Sequence, residues 1–172
     1  MEDLGRLDLP AFKAATKLPV VVVLDNVRSA HNIGSIFRTC DAFRVEALYL
    51  TGICATPPHK EIMKTALGAA DSVTWAYFSS TVEAIQALKE AHFQIVAVEQ
   101  TSNSTSLEKY PTRQKTAFIF GNEVNGVDAE ALALCETCVE IPQFGTKHSF
   151  NVSITAGIIL WDTFLKLQIT PQ

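Results

Sequence analysis

The chain has 172 residues and a formal net charge of −4, with 48% hydrophobic and 19% charged residues. This composition is typical of one globular domain that buries its own core, and it excludes a disordered or collagen-like chain. The acidic balance argues against a strongly basic nucleic-acid binder and leaves room for local basic patches.

Short runs of apolar residues recur along the chain and predict six β-strands. The run at 19–24 is continuous and rich in valine, which is typical of a strand buried on both faces. The run at 73–77 alternates in polarity, which predicts an edge strand. The remaining predicted strands span 47–50, 93–98, 117–120 and 138–141.

Helical spacing fills the intervals between these runs. After the first strand, Arg38 falls on the polar side of a helix whose apolar arc is formed by Ile33, Ile36, Phe37, Cys40 and Phe43. Further helices are predicted at 59–67, ended by Gly68, at 82–92 after the capping sequence 80–83, at 127–135 and at 150–167. The last helix is apolar nearly all the way round, which predicts burial within the fold or across a subunit interface.

The alternation of strands and helices predicts an α/β fold, with a mostly parallel sheet flanked by helices. Residues 1–17 allow one short helix before the first strand. In an open sheet of this kind, ligands bind at the carboxyl ends of the strands. Polar segments follow predicted strands at 25–32, 99–104, 121–126 and 142–149.

Three of these segments carry candidate functional residues. Gly121 and Gly126 permit a tight turn that projects Glu123, although an ordinary turn with a solvated glutamate would look the same. Ser149, Asn151 and Ser153 alternate at the start of the apolar helix, where capping alone needs one of them.

The helix after the first strand contains a glycine and an exposed arginine. Gly34 costs up to about 1 kcal/mol relative to alanine in a helix, which predicts a close contact there. Arg38 is either functional or part of a solvated face.

Several common motifs are absent from the sequence. It has no dinucleotide-binding G-x-G-x-x-G, no P-loop, no G-x-S-x-G and no H-E-x-x-H. One C-x-x-C pair without a second argues against zinc, so we expect no metal and reduced, mostly buried thiols at Cys40, Cys54, Cys135 and Cys138. Neither a secretory signal nor an uninterrupted membrane-spanning run is present, so we expect a soluble, cytoplasmic protein with no membrane partner.

Taken together, three segments resemble the SpoU-type (TrmH-like) RNA methyltransferases of the SPOUT superfamily, over about residues 18–167. The first motif matches Asn32, Gly34 and Arg38, and the second matches Gly121, Glu123 and Gly126. The third matches Ile141, Pro142, Gly145, Ser149, Asn151, Val152 and Ser153. Phe150 stands where the family usually has leucine, and Gln143 where methionine is frequent.

The resemblance implies a fold, a cofactor and an assembly. It implies a catalytic domain at 18–172 with a C-terminal deep trefoil knot, preceded by a short extension at 1–17. It also implies a homodimer with the active site at the subunit interface. S-adenosylmethionine would be held at Gly121, Ile141 and Phe150, with Thr101 as a further candidate.

The reaction that the resemblance implies is methyl transfer to a ribose 2′-hydroxyl of tRNA or rRNA. Its catalytic residues would be Arg38, Asn32, Glu123, Ser149 and Asn151. Arg38 is the base that the family's mechanism proposes, but a guanidinium stays protonated up to a pKa above about 12. We therefore expect Arg38 to grip the adjacent phosphate and orient the hydroxyl, with Asn32 and Glu123 holding it in position. Ser149 and Asn151 would order the third motif.

Other functions are compatible with the same motifs. The chain could be a catalytically silent cofactor- and RNA-binding protein, or it could methylate a base nitrogen. The pair Asn32 and Arg38 favours the ribose type, and the missing glycine fingerprint disfavours a nicotinamide-dependent oxidoreductase. RNA affinity would come from local charge, in which Lys60 and Lys64 are either RNA contacts or a solvated helix face.

Overall fold

The computed structural model describes residues 7–112, 115–146 and 149–167. The strands are β1 (Leu18–Asp25), β2 (Val45–Thr51), β3 (Trp75–Phe78), β4 (Gln94–Val98), β5 (Thr105–Ser106), β6 (Thr116–Phe120) and β7 (Thr137–Glu140). The helices are α1 (Leu9–Ala14), α2 (Ala30–Ala42), α3 (Lys60–Ala66), α4 (Ala69–Ser72), α5 (Thr81–Glu90), α6 (Ala129–Ala133) and α7 (Val152–Leu167), and a 3-10 turn covers Leu107–Lys109.

The strands form a parallel sheet in the order β3-β2-β1-β6-β4-β7-β5. This confirms the predicted α/β class, and β3 lies at an edge as its alternation predicted. Strand β1 lies near the middle, where Val22 pairs with Leu48 on one side and Phe118 on the other. That position explains its continuous apolar run, because both faces of a central strand are covered by helices.

Successive residues of β1 pack into two separate hydrophobic cores, one on each face of the sheet. Val20, Val22 and Leu24 pack with residues of α2, α3, α4 and α7 on one face of the sheet. Val21 and Val23 pack with residues of α5 and α6 on the other face. The period-2 alternation of a strand thus divides the helices into two layers.

Local differences from the prediction occur at helix ends and in short elements. Helix α3 ends at Ala66, because Leu67 already takes the left-handed conformation with φ 50°, and Gly68 instead precedes α4. Helix α4 and the two-residue strand β5 were not predicted, since elements this short carry no periodicity. The capping residue Ser80 is confirmed, as its side chain accepts a hydrogen bond from the Glu83 N–H.

The predicted close contact at Gly34 is confirmed. A Cβ atom there would lie 2.0 Å from Thr65 Oγ1 and 2.5 Å from the carbonyl oxygen of Ile62. Because the second atom belongs to the backbone of α3, rotation of a side chain cannot relieve the clash. The glycine therefore sets the separation of α2 and α3.

We expect Gly34→Ala to destabilise the protein by about 1–3 kcal/mol, since overpacking outweighs the better helix propensity of alanine. Urea unfolding measures the difference. Glu90→Ala at the exposed end of α5 is the control, because its removal should change stability by no more than about 0.5 kcal/mol. Equal stability of the two variants would contradict the packing argument.

Candidate functional site

A cleft of about 440 Å³ opens at the carboxyl edge of the sheet. Its walls come from the segments that follow β4, β6 and β7 and from the first turn of α7. The residues around it include Val98, Glu99, Gln100, Phe120, Gly121, Glu123, Val139, Glu140, Ile141, Ser149, Phe150, Asn151 and Thr155.

The turn Gly121–Gly126 forms one rim of the cleft. The backbone groups of Asn122 and Gly126 pair across the turn, and Asn122 Nδ2 donates to the carbonyl oxygen of Asn26 at 2.6 Å. Gly126 has φ 71°, and a Cβ there would lie 2.3 Å from Glu99 Oε2. The positive φ favours glycine at this position, and a Cβ would also displace the Glu99 carboxylate.

Glu123 projects from this turn onto the N-terminal end of α2. Its carboxylate accepts hydrogen bonds from the backbone N–H groups of Arg28 at 3.1 Å and Ser29 at 3.3 Å, and from Asn32 Nδ2 at 3.2 Å. Partial burial opposes ionisation, but these hydrogen bonds outweigh it and hold the pKa of Glu123 below its ordinary value. Glu123 is therefore an anion that anchors the start of α2.

Asn32 links this anion to the third motif. Its side chain is buried, and Asn32 Oδ1 accepts a hydrogen bond from Asn151 Nδ2 at 3.2 Å. Asn151 Oδ1 in turn accepts from the Ser153 N–H at 2.8 Å, which caps the start of α7. One chain of hydrogen bonds thus joins Glu123, Asn32 and Asn151, one residue from each predicted motif.

The lowered pKa of Glu123 predicts a pH-dependent stability. Its contribution is full above the ordinary glutamate pKa of about 4.3 and is lost as the pH falls through the lowered pKa of the folded protein, because protonation breaks the bonds of the anion. We expect Glu123→Gln to be less stable than wild type at neutral pH, with a difference that shrinks as the pH falls below about 4. Urea unfolding of both proteins across this range of pH tests this, and a difference independent of pH would contradict it.

Arg38 lies apart from this hydrogen-bonded chain. It is exposed on α2, six residues beyond Asn32 and therefore about 120° away around the helix axis. Within the described parts of the chain its guanidinium forms no hydrogen bond or ion pair. The amide of Asn32 is engaged by Glu123 and Asn151, so the structure does not bring Asn32 and Glu123 onto Arg38 as expected.

The other predicted site residues divide between the cleft and its surroundings. Gly121, Ile141, Ser149 and Phe150 lie along the cleft. Thr101 is not among its lining residues, and its carbonyl oxygen accepts hydrogen bonds from the N–H and hydroxyl of Ser104 in the turn that follows β4. Strand β4 ends at Val98, and the residues that reach the cleft are those directly after it.

Two carboxylates near the site, Glu99 and Asp25, were not predicted from the sequence. Glu99 Oε2 accepts from the Val127 N–H at 3.1 Å and thereby ties the end of β4 to the glycine turn. Asp25 at the end of β1 is only 1% exposed and accepts from the Thr81 hydroxyl and the Asp128 N–H. Its position, a charged residue directly after a fully apolar strand, is the signal that could have identified it.

The described residues contain no cluster of three or more histidine, cysteine or acidic side chains that could hold a metal ion. The four cysteines are free, and burial raises the pKa of Cys54 to about 11 and of Cys135 to about 12. Such thiols stay protonated and unreactive. None of the described helices has both the length and the apolar character needed to span a bilayer.

Comparison with known proteins identifies the family. Residues 19–161 match the model of the SpoU rRNA methylase family. The chain belongs to this family. The matched region contains the three motif segments and the whole of the cleft.

This SpoU family member is similar in sequence to several proteins that are named as RNA methyltransferases. It is 30% identical over 145 residues to the 23S rRNA (guanosine-2′-O-)-methyltransferase RlmB of Neisseria meningitidis, covering 84% of this chain and 58% of the relative. It is 33% identical over 147 residues to the tRNA (guanosine(18)-2′-O)-methyltransferase of Thermus thermophilus, covering 83% of this chain and 73% of the relative. The chain thus spans little more than half the length of the first of these relatives.

A solved structure confirms the fold of this SpoU family member. The AdoMet-bound rRNA methyltransferase of Sinorhizobium meliloti superposes with a TM-score of 0.80 and 26% identity. The match covers 89% of this chain and 61% of that chain. The parallel sheet and its flanking helices are therefore those of a SpoU methyltransferase.

Proposed function

We propose that this protein transfers a methyl group from S-adenosylmethionine to a ribose 2′-hydroxyl of tRNA or rRNA. The observation that carries the proposal is the hydrogen-bonded chain of Glu123, Asn32 and Asn151 at the rim of the cleft. Three motifs that are far apart in sequence meet there. The 2′-O-methyltransferase names of the relatives support the same reaction.

The lining of the cleft fits the cofactor. Ile141 and Phe150 offer apolar surface to an adenosine group, the turn at Gly121 offers backbone atoms, and Glu99 and Glu140 place carboxylates in the same cleft. Carboxylates suit a ligand with cationic sulfonium and ammonium groups. When bound, S-adenosylmethionine supplies an electrophilic methyl group. Thr101 lies outside this lining and is not part of the proposal.

The residues of this chain have to position the ribose and assist loss of its proton. Glu123 and Asn32 fix the start of α2, and Asn151 fixes the start of α7, so the two helices present a rigid rim. Ser149 lies on that rim. Arg38 grips the phosphate beside the reacting ribose and orients the 2′-hydroxyl, and that phosphate assists the departure of the proton.

We propose a homodimer with the active site at the subunit interface. Three apolar side chains on one side of α7, Ile154, Trp161 and Leu165, are 52–54% exposed. Their spacing of seven and four residues forms a stripe along the helix, and such exposed stripes favour association. An interface of this kind also gives the exposed Arg38 a place to act across the boundary between subunits.

The same proposal includes a C-terminal knot, the limits of the catalytic domain and the cellular compartment of the protein. Lys166 on α7 donates to the carbonyl oxygens of Leu107 at 2.6 Å and Tyr110 at 2.9 Å, so α7 packs beside the segment that follows β5. This contact supports a C-terminal trefoil knot within a catalytic domain at 18–172, preceded by an extension at 1–17.

We expect the protein to act in the cytoplasm, where tRNA and rRNA are found.

The decisive experiment incubates the purified protein with methyl-labelled S-adenosylmethionine and unmodified total RNA, separated by size afterwards. The expected result is a labelled 2′-O-methylnucleoside in one RNA fraction. Label on a base would replace the ribose chemistry with base methylation. Cofactor binding without transfer to tRNA or rRNA would favour the catalytically silent alternative.

A further inference from the structure

Helices α2 and α3 form one continuous outer surface. They approach closely at Gly34, and the Thr65 hydroxyl donates to the carbonyl oxygen of His31 at 3.1 Å. Their buried residues belong to the same core on one face of the sheet. The exposed sides of both helices therefore face away from the sheet together.

This α2–α3 surface concentrates positive charge on an acidic protein. Arg28, Arg38, Lys60 and Lys64 lie on or beside these two helices against the acidic Asp41 and Glu61, whereas the whole chain carries −4. Both acids are half-buried, and Asp41 accepts a hydrogen bond from Ser72. The exposed basic side chains of the surface are Arg28, His31, Arg38, His59, Lys60 and Lys64.

Lys60 and Lys64 are both exposed on α3, and only Lys64, in the last turn, is placed where the helix dipole favours a cation. Lys60 is the first residue of the helix, where the helix dipole disfavours a cation. Lys64 lies four residues later on the same side, so the two ammonium groups repel each other. Neither forms an ion pair within the described residues. Two exposed ammonium groups on one side of a short helix, without an ion-pair partner among the described residues, suit an anion from outside the chain.

The surface leads directly to the candidate site. Its first residues, Arg28 and Ser29, donate their backbone N–H groups to Glu123 at the rim of the cleft. An RNA strand that places a ribose at the cleft can therefore continue along α2 without leaving the protein. Lys60 and Lys64 of α3 then lie along the continuation.

We propose that the α2–α3 surface is the track that binds the phosphate backbone of the RNA, with Lys60 and Lys64 holding the strand beyond the modified nucleotide. The inference rests on the proposed function and adds to it the part of the protein that grips the substrate. Phosphate contacts of this kind give affinity and register without reading bases. They also make binding depend steeply on salt.

The test compares two charge-reversed proteins of equal net charge. One carries Lys60→Glu with Lys64→Glu. The control carries Lys89→Glu on α5, over the opposite face of the sheet, with Lys109→Glu beside β5 at the sheet edge. Fluorescence anisotropy measures binding of labelled bulk tRNA and rRNA across about 50 to 200 mM salt. Circular dichroism checks folding, and calorimetry measures S-adenosylmethionine binding.

We expect the α3 variant to bind RNA about tenfold more weakly than wild type, with a salt slope reduced by about 1.5. The control should stay within about twofold, and cofactor affinity should be equal in all three proteins. Three results would overturn the inference. They are an α3 variant whose RNA affinity depends on salt as steeply as that of wild type, equal losses of RNA affinity in both variants, and a wild type that does not bind RNA.

Methyl transfer is assayed separately, so that the two proposals fail in different ways. A wild type that methylates RNA, beside an α3 variant of unchanged RNA affinity, would retain the function and reject the track. A wild type that binds RNA through α3 and transfers no methyl group would retain the track and reject the function.

Discussion

Replacing Arg38 by alanine is expected to lower kcat for RNA methylation by at least about 100-fold. The guanidinium is exposed and has no hydrogen-bond or ion-pair partner within the described residues, so its removal leaves the fold unchanged. It also lies away from the cleft lining, so the Kd for S-adenosylmethionine should change by less than about twofold. Arg38→Lys should lose most of the activity too, because an ammonium cannot grip a phosphate in the bidentate manner of a guanidinium.

Steady-state kinetics, thermal unfolding and calorimetry on the same preparations separate the possible roles of Arg38. Lys89→Ala is a suitable control, since it removes an exposed cation from α5 on the other face of the sheet. If Arg38→Ala lost cofactor affinity and turnover to the same degree, the residue would be structural. If turnover survived, Arg38 would have no part in the reaction.

Replacing Asp25 by alanine is expected to cost about 2–4 kcal/mol of unfolding free energy. The carboxylate is 1% exposed, and it accepts from the Thr81 hydroxyl at 2.5 Å and the Asp128 N–H at 2.6 Å. It also accepts from Asn26 Nδ2 at 2.9 Å. Its removal would leave the Asp128 N–H and Asn26 Nδ2 without this acceptor, and the Thr81 hydroxyl with only Thr51 Oγ1, where the end of β1 meets the starts of α5 and α6.

Urea unfolding at neutral pH measures this loss. Glu46→Ala is the control, because that carboxylate is exposed on β2 and its removal should change stability by no more than about 0.5 kcal/mol. Asp25→Asn keeps one acceptor oxygen in a side chain of nearly the same shape. Its loss of unfolding free energy should lie between those of Asp25→Ala and Glu46→Ala. A loss in Asp25→Ala no larger than in the control would show that the buried carboxylate does not join these elements.

Much of the fold follows from patterns that are local in sequence. The apolar run of β1, the alternation in β3 and the capping residue Ser80 each report burial or a chain end through neighbouring residues. Gly34 was interpretable in the same way, because a glycine within a helical pattern indicates a close approach. The short elements β5 and α4 lack enough residues to show a period, so they were missed.

The candidate site was accessible from sequence only through family motifs. Asn32, Glu123 and Asn151 are separate polar residues in the sequence, and no spacing rule predicts that they form one chain of hydrogen bonds. Asn32 and Glu123 lie 91 positions apart, and Asn32 and Asn151 lie 119 apart. The resemblance named these residues, and the structure showed their contacts.

The sequence by itself determined the α/β class and most strand and helix positions, because hydrophobic periodicity and residue type act over a few neighbouring residues. The motif residues followed from the family resemblance. Only the tertiary structure decided that β6 lies between β1 and β4, that Glu123 anchors α2, and that Asn32 is engaged by Glu123 and Asn151. It also revealed the buried role of Asp25. These features depend on which distant segments pack together, and that choice is made by the free energy of the whole core rather than by any local pattern.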